Sequence, residues 1–115
     1  MSIKKIQYNI IAWMLVLAGN ALVTQVQAET KPLIVTSIKP LAIIAASAVG
    51  DAARVQYLVP DNQSPHDFSL PMSALKKIIQ ADLVIWVGPD FETGSAKAMA
   101  KLPTEKLLTI LHESL

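Results

Sequence analysis

The run Leu83-Val84-Ile85-Trp86-Val87, opened by Asp82 and closed by Gly88-Pro89, constrains the fold of this chain more than any other stretch. A strand with one face in water alternates apolar and polar residues, whereas an unbroken apolar run of this length suits a strand covered on both faces, as in the middle of a parallel sheet. Leu33-Ile34-Val35-Thr36-Ser37-Ile38 has the same character, and Arg54–Val59 and Lys106–Leu111 read as two further strands. Helical patterns separate them. Strand and helix in alternation imply β-α-β units with right-handed crossovers, so the expected class is α/β, with a parallel four-stranded sheet and flanking helices.

The first helix begins at Lys39-Pro40, where proline suits a first turn, runs through Leu41–Val49 and closes at Gly50. It is apolar nearly all round, which predicts burial. After Pro71, the residues Met72, Leu75, Ile78 and Ile79 fall at helical spacing, with Lys76, Lys77 and Gln80 on the other side, so these four and Trp86 are expected in the core. Pro89-Asp90 is expected to open a third helix over Phe91–Lys101. Gly94 falls inside it, where glycine costs about 1 kcal/mol against alanine.

At the amino end, Lys4 and Lys5 precede the apolar run Ile10–Ala18, Gly19-Asn20 and then Val26-Gln27-Ala28. This is the pattern of an export signal peptide over residues 1–28, cleaved after Ala28. The run is short against the roughly 20 apolar residues of a membrane-spanning helix, so no membrane span is expected after cleavage. Residues 29–115 then form one α/β lobe carrying eight basic and nine acidic side chains that alternate without forming a block. Nucleic acid is an unsuitable partner for such a surface, because a clustered basic face is what neutralises phosphates. The chain has no cysteine, which excludes both a disulfide framework and a lipid anchor on a mature N-terminal cysteine. Packing alone must hold a lobe of this size, whose buried fraction is modest.

Chemistry concentrates in the loop Pro60-Asp61-Asn62-Gln63-Ser64-Pro65-His66-Asp67-Phe68-Ser69-Leu70-Pro71. Its three prolines fix φ and bias their preceding residues away from helix, so His66 is carried on a stiff segment. Ligands of open parallel sheets sit outside the carboxyl ends of the strands, and both His66, after the second strand, and His112, after the fourth, belong to that edge. Zinc normally takes three or four protein ligands, while this chain offers two histidines in all. Taken alone, His66 therefore fits a solvated loop histidine better than a metal ligand. Asp61 and Asp67 fit turn or helix caps better than ligands. A cluster of His66, His112 and Glu113 would rest on terminal residues of a kind that fray. Ser64, His66 and Asp67 are too close in sequence to form a nucleophile, base and orienter relay, and neither a Gly-x-Ser-x-Gly elbow nor a phosphate-binding glycine loop is present. These features do not describe an enzyme.

Three stretches in order, Val35-Thr36-Ser37-Ile38-Lys39-Pro40, then Leu58-Val59-Pro60-Asp61 with Ser64-Pro65-His66-Asp67-Phe68-Ser69-Leu70, then Ala81-Asp82-Leu83-Val84-Ile85-Trp86-Val87-Gly88-Pro89, carry a resemblance. The chain resembles the periplasmic zinc-binding proteins of high-affinity zinc-uptake ABC transporters, within the wider metal-binding solute-binding family, over residues 33–111. The resemblance implies two α/β lobes joined by a long rigid helix with the metal in the cleft between them, this chain being the N-terminal lobe only. It implies that His66 is the first histidine ligand of a transported zinc ion. The remaining ligands would lie beyond Leu115, the location would be periplasmic, and the partner would be the inner-membrane ABC permease of the uptake system. Trp86 looks more like the zinc branch than the manganese branch. Two positions depart from the pattern. Pro65 stands where some zinc members have an acidic residue, which removes a local carboxylate ligand, and Leu70-Pro71-Met72-Ser73 replaces Leu-Arg-Pro-Ser, which can shift the next helix start by one residue. The alternatives are a truncated lobe with weak or no metal binding and, less supported, a zinc-dependent enzyme.

Overall fold

The computed structural model describes residues 30–111 and, before them, the single position Gln7. The expected signal peptide, His112 and Glu113 lie outside the described residues. Strands β1 (Leu33–Thr36), β2 (Arg54–Tyr57), β3 (Leu83–Trp86) and β4 (Leu107–Thr109) form one parallel sheet in the order β2-β1-β3-β4. Ile34 pairs with Val55 on one side and Leu83 on the other, and Val84 pairs with Leu107. The two apolar runs that lack alternation are thus the two central strands, as burial on both faces requires.

Helices α1 (Lys39–Val49), α2 (Met72–Gln80) and α3 (Thr93–Met99) make the crossovers. Side-chain alternation divides the sheet into two unequal faces. Leu33, Val35, Val84 and Trp86 join Ala74 and Ile78 of α2, Met99 of α3, and Leu58, Val59, Phe68 and Ala81 in one buried cluster. Ile34, on the opposite face of β1, is buried outside that cluster, and α1 contributes only Ala42 and Ala45 to the interior. Leu58 and Val59 are held after β2 by N–H bonds to Thr36 and Ser37 carbonyls, so the pairing outlasts the regular strand and carries the chain to the mouth of the histidine loop.

Several sequence expectations are corrected here. The all-round apolar helix α1 is not buried: Ile43 and Ile44 are 59% and 66% exposed, because its short alanines meet the sheet and its isoleucines point away. On α2, Ile78 is in the core and Leu75 half-buried, but Met72 and Ile79 are 80% and 71% exposed. Ala74, an unremarkable residue in the pattern, takes the inward position instead. The third helix starts two residues later than expected, at Thr93, and ends at Met99. Trp86 is in the core as expected, and its indole N–H donates to Thr109 Oγ1 at 2.7 Å, tying β3 to β4.

Candidate metal centre

Strand order reverses between β1 and β3, since α1 carries the chain from β1 to one neighbour and α2 carries it back across to the other. The carboxyl ends of two adjacent strands diverge there, and such a crevice is where open parallel sheets bind ligands. Three segments meet at this edge: Ser37 leaving β1, the loop of residues 58–71 leaving β2, and residues 87–93 leaving β3.

The histidine loop is folded by its own short-range bonds. Gln63 N–H donates to the Pro60 carbonyl, Asp67 N–H to the Ser64 carbonyl, and His66 N–H to Ser64 Oγ at 3.3 Å. Lys39, at the start of α1, reaches Asp61 with a 2.7 Å ion pair. That bond holds the Asp61 carboxyl below its ordinary range; its partner is the Lys39 ammonium rather than the backbone N–H of a turn or helix cap. A shallow cavity of about 300 Å³ lies beside the pair, lined by Ile38, Pro40, Val59 and Pro65 among others.

His66 is exposed, and its ring and backbone are held from the facing segment. Nδ1 lies 3.3 Å from the Phe91 carbonyl oxygen, and Thr93 Oγ1 donates to the His66 carbonyl at 3.1 Å. A carbonyl oxygen only accepts, so in the neutral imidazole this hydrogen bond has the proton on Nδ1 and leaves Nε2 as the nitrogen with a free lone pair. A metal-binding histidine is arranged in this way, with one nitrogen donating to a carbonyl and the other facing the ion. Gly94 explains the close approach: a Cβ there would stand 2.4 Å from the Phe68 carbonyl oxygen, so its missing side chain lets the histidine loop rest on the first turn of α3.

Glu92 was not singled out by sequence reasoning. Its side chain is fully buried at the switch point, where Oε2 accepts from Ser37 Oγ at 2.9 Å and from the Val87 N–H at 2.8 Å. Oε1 has no hydrogen-bond partner among the described residues. Burial pushes the Glu92 pKa up, against the opposing pull of the bonds from Ser37 and Val87. The signal that could have found it is an acidic residue three positions after the Gly88-Pro89 turn that closes the most apolar strand. Its relation to Ser37 depends on β1 and β3 being adjacent, which sequence order does not reveal.

Among the described residues no group of three or more His, Asp or Glu side chains converges as a metal site. The donor set described is one imidazole nitrogen, chemically suited to zinc but insufficient alone. No helix described is long and apolar enough to cross a membrane.

Residues 34–114 match the family described as zinc-uptake complex component A, periplasmic. The high-affinity zinc uptake system protein ZnuA of Haemophilus ducreyi is 42% identical over 77 residues, which cover 67% of this chain and 25% of that protein. The protein of the same name from Haemophilus influenzae is 36% identical over 77 residues, covering 67% of this chain and 23% of the relative. The chain therefore spans about a quarter of the length of these relatives. Among solved structures, the periplasmic zinc-binding protein TroA from Treponema pallidum aligns with a TM-score of 0.64 at 24% identity, over 70% of this chain and 29% of that one, a likeness of fold. Zn(II)-bound AdcA from Streptococcus pneumoniae aligns with a TM-score of 0.60 at 30% identity, over 70% of this chain and 17% of the other.

Proposed function

Because this chain belongs to the periplasmic zinc-uptake complex component A family, we propose that it contributes the first histidine ligand, His66, to a periplasmic receptor that captures zinc and delivers it to an ABC permease. Zinc is the cargo in this reading, not a resident cofactor. The family is one of transport components, so the reading involves binding and release with no bond-making step. The observation that carries it is the contact of His66 Nδ1 with the Phe91 carbonyl oxygen at 3.3 Å, which leaves Nε2 as the lone-pair donor on the ligand-binding edge of the sheet. Export by the leader over residues 1–28 would deliver the chain to the compartment in which the family works.

The rest of the chain presents and orients that nitrogen. Pro60, Pro65 and Pro71 stiffen the loop, Thr93 holds the His66 backbone, and Gly94 lets the loop lie against α3. A complete zinc site needs further ligands, which this reading assigns to sequence beyond Leu115.

Zinc titration of the full chain followed by calorimetry, with and without His66→Ala, tests the proposal. Loss of the histidine should weaken binding at least about tenfold, the lower end of what disturbing a metal site's surroundings costs. Equal affinities would remove His66 from the site. A second reading is favoured by the absence of a converging ligand cluster among the described residues: the chain by itself holds zinc no better than a lone imidazole. It predicts no rise in melting temperature at millimolar zinc, where a specific site would stabilise the fold by mass action.

A further inference from the structure

Glu92 makes no hydrogen bond to His66, and the bonds that reach the histidine from the β3–α3 segment come from the two sequence neighbours of Glu92. Its Oε2 ties together two strand ends, accepting from Ser37 after β1 and from Val87 after β3, and its own N–H donates to the Gly88 carbonyl at 3.0 Å. These three bonds close residues 88–92 into a turn pinned to the sheet. Gly88 allows it with φ of 149°, a region that side-chain-bearing residues rarely adopt. The residues on either side of Glu92 are the ones that hold the histidine: Phe91 through its carbonyl to Nδ1, and Thr93 through its hydroxyl to the His66 carbonyl. A buried carboxylate with an unpartnered oxygen is unfavourable, and packing alone would be served better by an apolar side chain. The arrangement is explained if the acceptor oxygen is needed where it stands.

We propose that Glu92 is a positioning residue for zinc capture: by fastening the β3–α3 turn to the ends of β1 and β3, it sets the Phe91 carbonyl that keeps His66 in the Nδ1–H tautomer with Nε2 free for the metal. This inference rests on the reading of His66 as a ligand. Glu92 acts through the backbone of its neighbours and does not touch the ion. Its role is that of an acceptor, and its charge is not required, which separates it from a carboxylate that attracts the cation. The Ser37 hydroxyl and the Val87 N–H are parts of the same device, and Ser37 is the one that can be removed without emptying the core.

The experiment is long-range 15N–1H correlation of the neutral His66 imidazole in the full chain, paired with zinc titration of the same samples. The His66 signals are identified by their absence from His66→Ala. Glu92→Gln keeps an acceptor oxygen and should retain both the Nδ1–H tautomer and the zinc affinity. Glu92→Ala should lose the tautomer preference and bind zinc about 10–100-fold more weakly, the usual effect of removing a partner that orients a metal-binding histidine. Should Glu92→Ala not fold, Ser37→Ala is read in its place, with a smaller shift in the same direction. An unchanged tautomer in a folded Glu92→Ala or Ser37→Ala chain overturns the proposal. So does a Glu92→Gln chain that keeps the tautomer but loses zinc affinity as far as Glu92→Ala, because the charge would then be what matters. The tautomer is read without zinc, so it judges Glu92 even if His66→Ala leaves zinc affinity untouched and the ligand reading fails.

Discussion

Glu92 and His66 show how far one residue's chemistry depends on neighbours it does not touch. Burial raises the Glu92 pKa above its ordinary value, so the folded state holds the proton more tightly than the unfolded chain does. For a group shifted in this direction, the relative stability is fully present below the unfolded pKa and is lost as pH rises through the folded one. That contribution is lost above the raised pKa, so Glu92→Gln, which does not titrate, is expected to gain in melting temperature on the parent chain as pH rises through it. In the other direction, the difference between the two chains should move in the parent's favour as pH falls through the raised Glu92 pKa towards the ordinary carboxylate range. Thermal unfolding of both chains between about pH 4 and pH 8 checks this, since carboxylates titrate in the lower part of that window. A difference that stays constant across it would mean that Glu92 is not the group being protonated. His66 was visible in the sequence as a stiffly held histidine after a strand, but its tautomer was not, because the partner that fixes it is 25 positions away.

At the scale of elements, the sequence indicated which segments are strands and helices more clearly than which sides they bury. Continuous apolar runs marked β1 and β3 as central because only a strand covered on both faces tolerates them. Helix α2 is the instructive failure. Its four apolar positions read as one face, yet only Ile78 is fully inside, while Ile79 is exposed and Ala74 fills the inward position. The apolar spacing alone did not locate the sheet behind the helix. Ile78→Ala should therefore cost about 2–5 kcal/mol by opening a core cavity, whereas Ile79→Ala should fall within about 0.5 kcal/mol of the parent, as surface substitutions do. Chemical denaturation measures both, and comparable losses at the two positions would reverse the assigned face. Gly94 carries the same lesson. In a free helix, alanine would improve on glycine by about 1 kcal/mol. Here the added Cβ would stand 2.4 Å from the Phe68 carbonyl oxygen, a backbone atom that cannot swing away. Gly94→Ala should instead destabilise by about 1–3 kcal/mol, as overpacking does, and should weaken zinc binding by lifting the histidine loop off α3. A stabilised Gly94→Ala chain would show that the loop does not rest there.

Across the whole molecule, the two faces of the sheet are not equally covered, and that imbalance bears on how the lobe behaves alone. The face under α2 and α3 holds the main buried cluster. The other is covered by α1 through two alanines, leaving Ile43 and Ile44 in solvent, and at the outer strand Leu108, Ile110 and Leu111 are exposed as well. Between α2 and α3 runs a groove of about 450 Å³ with Leu70, Leu75, Ile79 and Ala98 among its lining residues. Scattered apolar side chains are ordinary on a protein surface, but contiguous ones beside a strand whose outer edge is unpaired among the described residues favour association. The chain spans about a quarter of the length of its ZnuA relatives. Residues 29–115 produced alone should accordingly self-associate as concentration rises, with the weight-average mass in sedimentation equilibrium climbing above that of one chain. Replacing Leu108 and Ile110 with lysine, which blunts a strand edge by charge, should reverse the effect without unfolding the sheet, because both side chains already face solvent. A monomer at every concentration would mean that the exposed residues are too dispersed to act as one surface.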